Sequence, residues 1–234
     1  MNLVFKDEET CNKQMIMLED KYFCVSERCC QSPQLCEEYG IIKKIIENKE
    51  GYFDFNKNLI DIGAEDGNYA MLTNFHENYI FEPNKKMCCI INTNMYLKNK
   101  VDNSFVYNIA LSSKDDYIMF DGFSIKNGGF YKQAGINLYE EDRKTPTTTL
   151  DSFNIKNVGL IKIDVEGMEY DVLKGSLKTI ILNNYPPILF ESWPVGHCHQ
   201  TQEQRDVVFN LLKLLGYEIL ENWGDHETHL AVRK

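Results

Sequence analysis

The sequence predicts a doubly wound α/β fold: a mostly parallel seven-stranded sheet, helices on both faces, and an antiparallel closing strand. Three observations carry that expectation. Short apolar runs at residues 59–62, 79–82, 158–164 and 187–191 read as strands buried on both faces, because they lack the alternation of a half-wetted sheet. Between them lie stretches with apolar residues at helical spacing, so strands and helices alternate. Finally, residues 217–220 and 229–232 are joined by a short polar loop, and a connection that tight cannot make a parallel crossover.

A chain of 234 residues at 43% apolar can bury one sizeable core, and a single globular unit is expected. Residues 1–57 read as an N-terminal hairpin and helix packing on a core built by residues 58–234. Residues 15–18 and 22–25 flank Glu19-Asp20-Lys21 as the hairpin. Ser32 and Pro33 make a good N-cap and first helical residue. Leu35, Tyr39, Ile42 and Ile46 then recur at helical spacing, which predicts a helix over residues 33–48 covering one edge of the sheet.

The stretch N-L-I-D-I-G-A-E-D-G, residues 58–67, is the organising element of the core. It reads strand, glycine turn, helix start, the geometry that presents backbone N–H groups and a helix N-terminus to a ligand. Gly63 and Gly67 lack a Cβ, so the chain can turn sharply and a ligand can lie against it. The next strand ends in Glu82, followed by Pro83 and a helix to about residue 97. Glu82 stands about twenty residues past Asp61, where a Rossmann-like site holds ribose hydroxyls. Residues 105–109 and 117–120 are further strand candidates. Residues 112–149 break the rhythm, with Gly122, Gly128 and Gly129 set among Phe123, Phe130, Tyr131 and Tyr139. Such an excursion suits either stacking on a sugar or a plain surface hairpin. From Met168 one helix is expected to carry Val172, Leu173, Leu177 and Ile180. Thr201-x-x-Gln204 has capping-box form, and Gly216 stops the helix it opens.

The totals narrow the function. Twenty-five basic against 35 acidic side chains leave a charge of −10, which disfavours a nucleic-acid partner. There is no apolar run of about eighteen residues, and the first twenty-one residues are too charged for a signal peptide, so a soluble cytoplasmic protein without a membrane span is expected. Of eight cysteines, Cys24, Cys29, Cys30 and Cys36 cluster without paired C-x2-C knuckles. They read as reduced core residues before they read as a zinc site, and Cys88 and Cys89 as core.

Several acids fall at one sheet edge. Asp164 and Glu166 follow the strand that contains Lys162, and Glu191 ends the next one. Ligands of open α/β sheets bind beyond the carboxyl ends of the strands, and crowded carboxylates repel, so stability alone does not explain them. His197 and His199 follow in V-G-H-C-H-Q; His197 is a candidate base because histidine titrates near neutrality. His76, His226 and His229 read as ordinary surface or strand residues.

The sequence resembles the FkbM family of S-adenosylmethionine-dependent O-methyltransferases. The resemblance rests on L-I-D-I-G-A from Leu59, Phe81-Glu82-Pro83, Asn108-Ile109-Ala110-Leu111, Thr149-Leu150-Asp151, and the specific block I-K-I-D-V-E-G-x-E from Ile161 to Glu169. It implies a Rossmann-like class I methyltransferase fold and methyl transfer to a hydroxyl, commonly on a sugar or polyketide. It places Asp61, Gly63, Ala64, Glu65, Gly67, Asn68, Glu82, Pro83, Asn108, Ala110 and Asp164 around the cofactor. Glu65 departs from the asparagine usual after D-I-G-A. The cofactor's sulfonium would supply the methyl group, leaving the protein to align an oxygen and remove its proton. Asp164, Glu166 or Glu191 is the expected base, with Lys162 neutralising one acid. Carboxylate oxygens would suit Mg2+, though no ligand count demands it. Methylation of an RNA ribose, and a non-catalytic cofactor-binding partner of a glycan enzyme, are the alternatives. An NAD-dependent oxidoreductase is weaker because G-x-G-x-x-G is absent.

Overall fold

The structure is a computed structural model and describes residues 14–18, 21–25, 34–119, 144–195, 201–225 and 227–233. It begins with strands β1 (Gln14–Leu18) and β2 (Lys21–Val25), an antiparallel hairpin, and helix α1 (Gln34–Glu47). The core follows as β3 (Asn58–Ile62), α2 (Asn68–Leu72), β4 (Asn78–Phe81), α3 (Lys85–Leu97) and β5 (Ser104–Tyr107). Three short strands, β6 (Ala110–Leu111), β7 (Asp116–Met119) and β8 (Lys144–Thr148), form a separate sheet with β8 in the middle. The chain then returns as β9 (Val158–Ile163), α4 (Glu169–Lys174), α5 (Leu177–Leu182), β10 (Ile188–Glu191), α6 (Gln202–Leu214), β11 (Glu218–Leu220) and β12 (Thr228–Val232).

The main sheet has seven strands in the order β11-β12-β10-β9-β3-β4-β5. Strands β3, β4, β5, β9 and β10 run parallel, and β12 is inserted antiparallel to both β10 and β11. The chain winds outward from β3 through β4 to β5, then crosses back to β9 on the other side of β3. The carboxyl end of the β3–β9 pair is therefore the topological switch point, where such sheets open a crevice.

Alternate side chains of each strand enter opposite layers. Leu59, Leu160, Leu189 and Leu230 pack with Ile41, Ile42 and Ile45 of α1, Tyr69, Ala70 and Met71 of α2, and Ile91 and Met95 of α3. Ile60, Ile62, Ile161, Ile163, Ile188 and Phe190 pack against Val172 and Leu173 of α4, Ile180 of α5, and Val208, Phe209 and Leu212 of α6. Because both faces are covered, the strands need the continuous apolar runs seen in the sequence.

Several expectations change. Helix α1 covers a face, not an edge, and buries Ile41, Ile42 and Ile45 while Ile46 is 48% exposed. Its stripe is rotated from the predicted one. The single helix expected from Met168 is two. Gly175 separates α4 from α5, and a Cβ there would lie 2.0 Å from the Ser112 carbonyl oxygen, so the returning chain crosses at the break. Cys88 is buried, but Cys89 is exposed, because adjacent helical residues face different sides. The capping box forms as expected, with the Thr201 hydroxyl accepting from Gln204 N and the Gln204 side chain accepting from Thr201 N. Among the described residues no helix is long and apolar enough to cross a membrane.

Candidate active site

Glycine turn and switch point come together through Gly63. At φ +71° it turns the chain out of β3, and a Cβ would sit 1.7 Å from the Asp164 carbonyl oxygen. It is thus the end of β9, not a ligand, that closes on this glycine. Asp164 N donates to Ile62 O at 3.0 Å across the same junction. Gly67, at φ +76°, leans against Ile91 of α3. Glu65 between them also has positive φ, which costs a residue with a side chain conformational energy.

Asp61 and Lys162 are register partners on β3 and β9, both pointing to the layer of α1 and α2. The Lys162 ammonium donates to Gly63 O at 2.6 Å and lies 3.6 Å from Asp61 and 3.4 Å from Asp164. It also stands 5.4 Å from the centre of the Tyr69 ring. Burial alone would lower its pKa, but Asp164, Asp61 and Glu38 outweigh that and hold it above its ordinary value. Asp61 is fully buried, neither of its carboxylate oxygens has a hydrogen-bond partner, and burial pushes its pKa up. The expectation that Lys162 neutralises one acid understates it: one ammonium serves two carboxylates.

Glu82, just past β4, accepts from Glu65 N at 3.0 Å and from Asn84 N at 2.7 Å. Its carboxylate ties the glycine turn to the start of α3, and each oxygen keeps a lone pair for a ligand hydroxyl. Burial raises its pKa to about 7 against those two bonds. Asn108 is exposed, and its side chain donates to the Glu82 and Pro83 carbonyls, fixing the chain beyond β5 beside Glu82. Ala110 begins β6, is buried, and pairs with Thr147 of β8.

The turn after β9 is held by Glu169, which accepts from Val165 N at 3.3 Å and Gly167 N at 3.1 Å. Burial raises its pKa to about 7. Glu166 and Gly167 are both left-handed, at φ 56° and 100°, and the strand stops at Ile163, so Glu166 hangs over the carboxyl edge. Glu191 ends β10 beside this turn. Burial pushes its pKa well above the ordinary carboxylate range, followed by Asp164, Glu166 and Glu169, against a hydrogen bond with the Trp193 side chain. The structure therefore brings Asp164, Glu166 and Glu191 together. His197 and His199 lie outside the described residues, as do Cys29, Cys30, His226 and the aromatic excursion from Gly122 to Tyr139; the side chains of Cys24 and Cys36 do too. His229 is a fully buried strand residue that accepts from Asn222 N at 2.9 Å through Nδ1.

Sequence reasoning missed Glu38. It sits on α1 one turn before Ile41 and Ile42, and its Oε2 accepts from Asn68 Nδ2 at 3.0 Å. Burial lifts its pKa to about 7; Lys162 and Asn68 pull it down, while Asp164 and Glu65 add to the rise. The signal for it was the stripe Glu38, Ile41, Ile42, Ile45, with spacings of three, one and three.

The residues fit S-adenosylmethionine on their own chemistry. Acids outnumber the one buried lysine, the fully buried Asp61 shares that lysine with Asp164, and Glu82 can take a diol. A cation bearing donors and a ribose answers all three. Among the described residues no group of three or more His, Cys, Asp or Glu is arranged to hold a metal ion.

The fold is the Rossmann-like fold of class I methyltransferases. The chain belongs to the FkbM methyltransferase family, whose domain model matches residues 61–219, and family members use S-adenosylmethionine. Among solved structures, a methyltransferase FkbM from Methylobacillus flagellatus KT superposes with a TM-score of 0.57 at 16% identity. That match covers 84% of this chain and 50% of that one, so the chain spans half the length of its relative. A precorrin-6y C5,15-methyltransferase from Geobacter metallireducens GS-15 has a TM-score of 0.50 at 11% identity, over 91% of this chain and 93% of that one. At such identities the likeness is one of fold. No curated protein sequence matches the chain.

Proposed function

We propose that this protein is an O-methyltransferase that methylates a hydroxyl of a carbohydrate, with Glu191 as the base. The observation that carries the reading is Glu191 itself. It lies at the carboxyl end of β10, next to the switch point, and burial with three neighbouring acids raises its proton affinity well above that of an ordinary carboxylate. An alcohol is a poor nucleophile, and a base of raised pKa removes its proton more readily as the bond forms. Bound S-adenosylmethionine supplies an electrophilic methyl group on a sulfonium. The glycine turn at Gly63–Gly67 would hold its methionine end, and Glu82 its ribose. Asp164 and Glu166 keep the local field negative, which favours a cationic centre between β3 and β9 and stabilises the proton taken up by Glu191. A carbohydrate acceptor accords with the net charge of −10, which repels a nucleic-acid backbone.

The test is transfer of labelled methyl to a panel of mono- and oligosaccharides, with RNA as the competing acceptor. Wild-type protein should label a sugar, and Glu191→Gln should lose that transfer while binding the cofactor as before. Label on RNA alone would move the acceptor to a ribose 2′-hydroxyl. Tight cofactor binding with no hydroxyl labelled would make the chain a non-catalytic binding partner.

A further inference from the structure

The geometry points to Glu38, on the helix before the family-matched residues, as the group that holds the α-ammonium of the cofactor's methionine end. This rests on the cofactor reading above and adds a residue to it. Glu38 reaches the switch point from α1 and faces the same groups that line it. Its Oε2 is bonded to Asn68 Nδ2 at 3.0 Å, and it interacts with Lys162, Asp164 and Glu65. The Tyr69 ring lies 5.4 Å from the Lys162 ammonium, and its phenol has its pKa pushed up by burial and then by Glu38, Asp164, Asp61 and Asp225.

The groups around Glu38 are mostly acceptors. Asp61 is wholly buried and meets the Lys162 ammonium only at ion-pair distance, 3.6 Å, and Asn68, 5% exposed, has an unpartnered Oδ1 on the same amide that donates to Glu38. Lys162 is committed to Gly63 O and to the Asp61–Asp164 pair. Buried acceptors without a donor are costly, so the site suits something that brings N–H groups and positive charge. A sulfonium brings charge without a donor. An α-ammonium brings three donors, and a carboxylate is its strongest partner.

A purely structural role would give a different result. The Asn68 bond survives Glu38→Gln, because the glutamine carbonyl still accepts it, so a packing residue would tolerate the change. Calorimetric titration should compare S-adenosylhomocysteine, which keeps the α-ammonium, with 5′-methylthioadenosine, which has no amino-acid end. We expect Glu38→Gln to weaken the first about ten- to a hundredfold and the second less than about twofold. Unchanged affinity for S-adenosylhomocysteine, or equal losses for both, overturns the assignment while leaving the methyltransferase reading in place. Wild-type protein that binds neither overturns both. Should the variant not fold, wild-type protein titrated with the desamino analogue of S-adenosylhomocysteine gives the same answer: a comparable loss is expected, and none would remove Glu38 from the site.

Discussion

The two halves of the switch point handle charge in opposite ways. Under β3 and β9, Asp61 and Asp164 share the buried ammonium of Lys162 at 3.6 and 3.4 Å. At the end of β10, Glu191 sits among Asp164, Glu166 and Glu169, and no cation is among the groups that most perturb it. One half sets two carboxylates around a cation that the chain itself supplies. The other is organised to make one carboxylate want a proton. Asp164 belongs to both, which couples a binding subsite to a basic one across a single strand end.

Removing the base should give the largest effect. Glu191→Gln should lower methyl transfer by about 10²–10⁴, with cofactor affinity nearly unchanged. In the wild type, kcat/KM should rise with pH along a limb set above the ordinary carboxylate range, since the raised pKa keeps Glu191 protonated in mild acid. A pH profile that is unchanged in the variant would pass the role to Glu166 or Asp164.

Next comes the lysine. Lys162→Met leaves two carboxylates without their buried cation and should cost on the order of 3–5 kcal/mol, read as a shift of the urea midpoint. Stability that is kept would mean that the two acids do not need their cation, and the contrast between the halves would disappear.

The phase of α1, which brings Glu38 to the site, is tested by two neighbouring isoleucines. Ile45→Ala should destabilise by about 2–4 kcal/mol, and Ile46→Ala by less than about 0.5 kcal/mol, because only the first is buried. Similar costs would turn the helix and take Glu38 away from Asn68.

The smallest effect is pH-linked. Burial lifts Glu38, Glu82 and Glu169 from the ordinary 4.5 to about 7. Their folded values lie above the unfolded ones, so their stabilisation is complete below about pH 4.5 and is lost as pH rises through 7. Cofactor-free protein should melt at a lower temperature at pH 8 than at pH 5 on this account. Saturation with S-adenosylhomocysteine should shrink the difference, because a bound ammonium favours the ionised carboxylate. A melting temperature that climbs with pH would contradict the burial of these acids.

Much of the site was legible in the chain because its parts are local. D-I-G-A sets Asp61 inside an apolar run one residue before its end, I-K-I-D-V-E-G puts Asp164 and Glu166 just beyond one, and strand period fixes the face that Asp61 and Lys162 share. Glu82 was legible for the same reason. Glu38 was not, because Leu35, Tyr39, Ile41, Ile42, Ile45 and Ile46 allow more than one apolar stripe on the helix. The break at Gly175 was equally hidden, since what it accommodates is Ser112, far away in sequence.

By itself, then, the sequence determined the strands of the main sheet, the glycine turn and the acids near its carboxyl edge. These follow from short-range hydrophobic periodicity and turn chemistry, which any segment carries within itself. Only the tertiary structure decided which face of α1 is buried, that one lysine serves two acids, and that Asn68 is left with an unanswered acceptor. Those outcomes depend on distances between segments that are far apart in the chain, and burial turns such distances into charge.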